Sequence, residues 1–189
     1  MSGSHHVFRQ ATTWVPISLA LAVCTIATGV LLLWFDDSSA PPDDVCGTAV
    51  PSSSLDPLLP DGGAVTQEAG ELFENVVSVC YVDIDGDPGV DIEVRSVSPE
   101  TDLQHTYEAA PGAYGLELSP SEGQIGDASA VLGPAGALVL TSCPAAGGDS
   151  ALLVNVRTYR EREGDVDEQR RALAMFTAQF LNSYVDERC

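Results

Sequence analysis

The sequence contains no lysine, and no acidic residue precedes Asp36. All eight basic residues are arginines, and Arg9 is the one that lies before Asp36. The chain from position 36 onward therefore contains 28 acidic residues and seven arginines, which gives that part a net charge of −21. So acidic a surface repels the phosphates of nucleic acid and attracts cations or basic partners. Nucleic-acid binding is therefore excluded as the function.

Signatures of metal binding and of nucleophilic catalysis are also missing. There is no C-x-x-C pair, and His105 is the one histidine beyond position 36. Metal sites built from thiolate and imidazole ligands need several closely spaced Cys or His residues, which are missing here. We therefore predict neither a metal centre nor a cofactor. No G-x-S-x-G motif is present, and an active site would need His105 to converge with a carboxylate and a Ser or Thr. We expect a protein that is not an enzyme.

One long uncharged run extends from Trp14 to Phe35. Residues 15–35 would rise about 31 Å as a helix, which matches a hydrocarbon core of about 30 Å. Trp14 and Trp34 mark its two ends, where aromatic rings favour the headgroup level. The sequence therefore predicts one transmembrane helix over residues 15–35. Two alternatives are a signal peptide cleaved near residues 38–40 and a lipid-modified Cys24.

The charges that flank this run predict its orientation. Arg9 lies on the N-terminal side, and Asp36 and Asp37 open the C-terminal side. Because positive residues favour the cytoplasmic side, the N-terminus is expected in the cytoplasm of a single-pass cell-membrane protein. The predicted organisation is a cytoplasmic tail (1–14), the transmembrane helix (15–35), an acidic Pro-containing linker (36–45) and an extracytoplasmic domain (46–189).

Two β-hairpins are predicted in the exported domain. Residues 73–84 and 90–97 are rich in strand formers and flank a dense turn sequence at 85–89. Residues 136–143 and 150–159 form a second pair of apolar runs around a Gly-containing loop. Between the hairpins, from 98 to 130, the pattern weakens and supports one strand at 113–118.

Two helices complete the predicted domain. A short helix is predicted over 53–59, a segment that opens with a Ser at a capping position ahead of Leu residues at helical spacing. A longer C-terminal helix begins after Asp165, with Glu168 completing a capping box. It places apolar residues on one face, namely Leu173, Phe176, Phe180 and Tyr184. The predicted fold class is α+β: an antiparallel sheet built from hairpins, with the C-terminal helix packed on one face, preceded by one transmembrane helix.

Four cysteines lie beyond the membrane segment, namely Cys46, Cys80, Cys143 and Cys189. An even number in an exported domain predicts two disulfides. Three connectivities are possible, and placement favours Cys46–Cys80 with Cys143–Cys189. The first pair would join the start of the domain to the strand after the short helix. The second would tie the chain end to a strand.

This framework resembles small actinobacterial membrane-anchored envelope proteins with a two-disulfide extracytoplasmic α+β domain. It resembles more loosely the extracytoplasmic sensor and lipoprotein domains of that phylum. The matching features are the four cysteines and the Leu-Leu-Val-x-Val strand at 152–156. The resemblance covers most of the exported region and implies neither catalytic residues nor a specific activity.

An acidic turn could bind a cation. The candidate ligands are Asp83, Asp85, Asp87 and Asp91. The first three occupy positions 1, 3 and 5 of a calcium-loop pattern, but Pro88 and Val94 replace the Gly and Glu that an EF-hand needs at positions 6 and 12. The two interpretations are an acidic hairpin tip and a weak calcium site.

Five of the seven exported arginines fall within positions 157–171. They are Arg157, Arg160, Arg162, Arg170 and Arg171. They either neutralise an acidic neighbourhood at the start of the C-terminal helix or form a docking patch for an acidic partner.

These features predict a membrane-anchored extracytoplasmic binding or accessory protein of the cell envelope, in contact with the lipid bilayer through residues 15–35 and with an envelope protein. A cation- or small-ligand-binding module is the first alternative, and an enzyme is the second.

Overall fold

The computed structural model describes residues 41–60, 62–72, 75–117, 119–144, 150–159 and 165–189. The predicted cytoplasmic tail, the predicted transmembrane helix and residues 36–40 of the linker lie outside these ranges. Among the described residues, no helix combines the length and the apolar composition needed to cross a membrane. All described residues belong to one compact unit, Ser39–Cys189.

Nine strands are described, and all of their pairings are antiparallel. They are β1 Asp44–Val45, β2 Thr48–Ala49, β3 Val65–Ala69, β4 Val76–Ile84, β5 Asp87–Val97, β6 Ser121–Ile125, β7 Ala128–Leu132, β8 Gly136–Ser142 and β9 Ala151–Thr158. Strands β1 and β2 form a small ribbon, and the other seven form one sheet in the order β3-β4-β5-β9-β8-β7-β6. Two meanders, β3–β5 and β6–β9, therefore meet where β5 pairs with β9.

In the described part of the chain, three α-helices accompany the sheet: α1 Ser52–Leu55, α2 Leu103–Ala109 and α3 Val166–Arg188. A 3-10 turn, Asp56–Leu58, extends α1, and another, Pro111–Tyr114, follows α2. The predicted N-cap of α3 is confirmed, because the Asp165 carboxylate accepts a hydrogen bond from the Asp167 amide at 3.0 Å. Glu168 instead donates its amide to the Asp165 carbonyl at 3.0 Å.

The predicted apolar face of α3 is buried against one face of the sheet. Phe176 and Phe180 are nearly inaccessible to solvent and lie in the same apolar cluster as Val82, Val94 and Val154. The opposite face of the sheet carries a smaller cluster under α2, which contains Leu116, Val131, Leu138 and Leu153. The α+β class with an antiparallel sheet and a C-terminal helix is therefore confirmed.

The two predicted hairpins form β4–β5 and β8–β9. The strand predicted at 113–118 is wrong, because Pro111–Tyr114 is a 3-10 turn. Pro111 fixes a φ that suits the first position of a helical turn, and Gly115 ends the turn in the left-handed region at φ 67°. The sequence interpretation also missed the strands and helix of the weakly patterned region, namely α2, β6 and β7, as well as β3.

Both favoured disulfides are present, Cys46–Cys80 and Cys143–Cys189. Cys46 lies in the turn of the β1–β2 ribbon and joins it to β4. Cys143 follows β8 and joins it to the last residue, directly after α3. The enclosed loops span sequence separations of 34 and 46 residues. Closing such loops is worth about 4 kcal/mol each in the chain-entropy model.

Candidate functional site

The acidic residues of the predicted cation site lie in two different places. Asp85 has φ 55° at the β4–β5 turn, and its carboxylate accepts a hydrogen bond from the Ala64 amide at 2.9 Å. Asp87 begins β5, whereas Asp91 lies further along that strand beside Arg157. Among the described residues, no group of three or more His, Cys, Asp or Glu is placed to hold a metal ion. Calcium binding by Asp83, Asp85 and Asp87 stays a prediction.

The described arginines of the predicted patch have separate partners. Arg157 lies on β9 and faces Asp91. Arg170 lies on α3, where its guanidinium contacts the Asp167 carboxylate at 2.7 Å and donates to the Ser119 carbonyl at 2.9 Å. Arg171 is exposed on the same helix. Arg160 and Arg162 lie outside the described residues, so a five-arginine patch stays a prediction.

A cleft of about 470 Å³ opens on the sheet face opposite α3. Strands β4, β5 and β9 form its floor, and the 3-10 turn at Ala113 forms a wall. The main lining residues are Val79, Tyr81, Asp91, Glu93, Asn155 and Arg157. Strand alternation produces this face, because Val90, Ile92 and Val94 point into the α3 core while the intervening Asp91, Glu93 and Arg95 point away from it.

The strand register arranges the cleft residues in two rows. Tyr81 pairs with Asp91, and Asp91 pairs with Arg157, across β4, β5 and β9. Val79, Glu93 and Asn155 form the neighbouring row in the same way. Along each strand, side chains on one face repeat about every 7 Å. The cleft therefore presents two parallel rows of side chains, which lie two residues apart along each strand, or about 7 Å.

The first row contains a carboxylate with an altered acidity. The Tyr159 hydroxyl donates a hydrogen bond to Asp91, and the Arg157 guanidinium lies 3.5 Å from the same oxygen. Arg157 also lies over the Tyr159 ring, 4.2 Å from its centroid. Burial raises the pKa of Asp91 from 3.8 to about 6; Arg157 opposes the rise, and the charges of Asp83 and Glu93 add to it.

The second row contains a buried amide with an unused acceptor. Asn155 is 8% exposed, and its Oδ1 atom has no hydrogen-bond partner. Such an oxygen carries a desolvation cost that a hydrogen bond would offset. Glu93, in the same row, is paired with Arg95 two residues along β5. The cleft thus contains internally paired charges and one unsatisfied amide oxygen.

Glycine is needed at one edge of the cleft. Gly70 follows β3 and donates its amide to the Val79 carbonyl at 3.1 Å. A Cβ atom at this position would lie 2.6 Å from Val79 Cγ1 and 2.7 Å from Tyr81 Cε2. Tyr81 is nevertheless 40% exposed, so its ring remains available to a ligand.

Sequence patterns identified Asp91 and Arg157 but assigned them to two unrelated groups. The β5–β9 register brings these two residues together. Tyr81, Asn155 and Tyr159 were missed. Asn155 did leave a signal, because it is a polar residue within the otherwise apolar run at 151–156.

Comparison of the chain with protein-family models, with curated proteins and with solved structures gives no match.

Proposed function

We propose that the protein is an extracytoplasmic binding or accessory protein of the cell envelope, anchored by a single helix over residues 15–35. Its N-terminus lies in the cytoplasm, and its α+β domain binds an envelope partner outside the cytoplasm through the cleft. The observation that carries this proposal is the exposed cleft itself, which is lined by Asn155, a residue whose buried Oδ1 atom has no partner within the domain.

The disulfides support export. Two bonds join all four cysteines beyond residue 36. Such bonds form and persist in oxidising compartments, whereas cytosolic thiols are kept reduced. The uncharged run at 15–35 supplies a membrane anchor of suitable length.

The composition of the cleft supports binding as the activity. Surface clefts that recognise a ligand combine apolar or aromatic walls with a few polar groups at fixed positions. Tyr81 and Val79 on β4 supply aromatic and apolar surface, and Asn155 on β9 supplies a fixed polar group. Asp91 is held between Tyr159 and Arg157, so its carboxylate already has partners within the domain.

Cysteine labelling in intact cells tests the topology. Glu122→Cys places a thiol on the exposed strand β6, and Ser4→Cys places one in the predicted cytoplasmic tail. A membrane-impermeant maleimide is expected to label the first variant in intact cells and the second only after permeabilisation. Labelling of Ser4→Cys in intact cells, with Glu122→Cys protected, would contradict the proposed orientation.

Photo-crosslinking tests the binding role. A photoreactive amino acid at position 81 is expected to form one discrete adduct with an envelope protein in intact cells. The control position is 175, because Met175 is 52% exposed on the outer face of α3 and lies away from the cleft. Equal adduct formation from both positions, or none from position 81, would contradict a role for the cleft.

A small-ligand-binding module is the second candidate, and the cleft volume favours it. About 470 Å³ falls within the range of 300–1,000 Å³ that is typical of small-molecule sites. Native mass spectrometry of the protein purified from its membrane separates the two candidates. A bound small molecule that Asn155→Leu removes would favour this second function.

A further inference from the structure

Asn155 lies where a ligand would complete its hydrogen bonding. It occupies β9, with β5 on one side and β8 on the other, so its backbone is fixed by two neighbouring strands. The residue is more than nine-tenths buried, yet it lines the open cleft and its Oδ1 atom has no partner. By contrast, the buried hydroxyl of Thr177 donates to the Leu173 carbonyl at 2.7 Å. Two further buried polar atoms of the described residues, Arg170 Nε and Gln179 Oε1, also have no hydrogen-bond partner, but both belong to α3 and neither residue lines the cleft. Among the cleft-lining residues, the unsatisfied buried atom is Asn155 Oδ1.

The charges in the cleft favour an uncharged ligand. Arg157 faces Asp91, and Arg95 pairs with Glu93, so the positive and negative groups are matched within the domain. An ionic ligand would have to displace one of these partners. A neutral group that donates a hydrogen bond to Oδ1 leaves both pairs intact.

A peptide group has the required chemistry. The carboxamide of Asn carries an acceptor oxygen beside an amide nitrogen, the same pair of functions that a peptide group presents. The N–H of a peptide group can donate to Oδ1, and its carbonyl can accept from the Asn155 nitrogen. The two rows of cleft residues lie one strand period apart, about 7 Å, which is also the spacing of alternate residues in an extended chain.

We propose that the cleft recognises an extended, uncharged peptide segment of the partner protein, with Asn155 hydrogen-bonded to one of its backbone peptide groups. Tyr81 and Val79 pack against the side chains of the segment. This inference rests on the proposed function and specifies the chemistry of the partner at the cleft.

Two small probes that differ by one N–H group test this chemistry. N-Methylacetamide carries a peptide group, and methyl acetate is its ester counterpart without the N–H. Both are titrated into the full-length chain in mild detergent, and the chemical shifts of side-chain amides and Tyr rings are followed by NMR. N-Methylacetamide is expected to shift the Asn155 side-chain amide and the Tyr81 ring saturably, at least several-fold more than methyl acetate.

Two variants test whether the amide-specific chemical-shift change depends on Asn155. Asn155→Leu is expected to abolish the amide-specific shift at Tyr81. Gln124→Leu, which removes an exposed carboxamide from the edge strand β6, is expected to preserve it. Equal shifts with the two probes, no shift at the cleft, or an amide-specific response that persists in Asn155→Leu would each overturn the inference. The comparison of probes on the unaltered chain does not depend on the folding of any variant.

The same measurements separate failure of this inference from failure of the proposed function. If methyl acetate is as effective as N-methylacetamide while the adduct from position 81 still forms, the cleft binds a partner by other chemistry. If the adduct is also missing, the binding role of the cleft is wrong.

Discussion

Asp91 lies on β5 where this strand pairs with β9, and its negative carboxylate lies beside the positive guanidinium of Arg157. Its carboxylate is partly buried, with side-chain exposure of 22%, and it faces both Arg157 and Tyr159. Burial has the larger effect, so the pKa of Asp91 lies near 6 rather than 3.8. The folded state therefore binds this proton more tightly than the unfolded chain. Protonation of Asp91 stabilises the fold fully below about pH 4, and this contribution is lost as the pH rises through about 6.

Asp91→Asn should remove this pH dependence. Between pH 4 and pH 7, the unaltered chain is expected to lose about 1 kcal/mol of unfolding free energy relative to Asp91→Asn, a value reduced for solvent screening of a partly exposed group. Urea denaturation of both proteins across this range measures the difference. Asp127→Asn, at an exposed position of the β6–β7 turn, is the charge-matched control. A constant difference between the unaltered chain and Asp91→Asn would contradict the assignment.

Asn155→Leu should make the domain more stable. The substitution replaces an unsatisfied buried amide by an apolar side chain of similar size, and we expect a gain of about 1 kcal/mol. Thermal unfolding of the two proteins measures it. Thr177→Val is the control, since the Thr177 hydroxyl is already hydrogen-bonded and its removal should bring no gain. Destabilisation by Asn155→Leu would indicate that the Asn155 side chain has a structural partner.

Among the elements, α3 provides much of the core. Phe176, Phe180 and Tyr184 follow one another along its buried face, with ring centroids 6.3 Å and 5.6 Å apart for the successive pairs. The spacing of these residues was sufficient to predict the buried face from the sequence. Their packing partners on β4, β5, β8 and β9 come from distant parts of the chain.

Phe180→Ala should destabilise the domain by about 3–4 kcal/mol, because it leaves a cavity in a closely packed core. Met175→Ala, on the exposed face of the same helix, should change the stability by less than about 0.5 kcal/mol. Chemical denaturation of both variants gives the comparison. Similar losses at the two positions would mean that α3 does not bury this face.

Local sequence patterns were sufficient to predict a hairpin where apolar and polar residues alternate and turn-forming residues lie between the two runs, as in β4–β5. They were insufficient for β6, in which Glu122, Gly123 and Gln124 are all exposed and Ile125 alone is buried. Residues 121–125 form a strand because they pair with β7, and their sequence shows no alternation of apolar and polar residues from which the strand could be predicted. The cleft could not be predicted from local sequence patterns for a related reason. It depends on the register of β5 against β9, which are separated by more than 50 residues.

At the scale of the whole molecule, the disulfides fix both ends of the described domain. Cys46–Cys80 joins the first ribbon to the sheet, and Cys143–Cys189 joins the last residue to the end of β8. The second bond therefore holds the C-terminus of α3 against the sheet.

Replacing both Cys143 and Cys189 by Ser should lower the free energy of unfolding by about 4 kcal/mol, mainly by releasing a constraint on the unfolded chain. Cys24→Ser, in the predicted membrane segment, should leave the unfolding of the exported domain unchanged. Denaturation with intact disulfides measures both variants. A loss under about 1 kcal/mol in the double variant would show that this bond contributes little to stability.

At this scale, we propose that a partner protein occupies the cleft and that Asn155 accepts a hydrogen bond from it. The most direct measurement is the yield of the adduct from position 81 in intact cells, compared between the unaltered cleft, Asn155→Leu and Gln124→Leu at equal protein levels. We predict at least a fivefold loss of the adduct in Asn155→Leu and no loss in Gln124→Leu. An undiminished yield in Asn155→Leu would contradict the central claim.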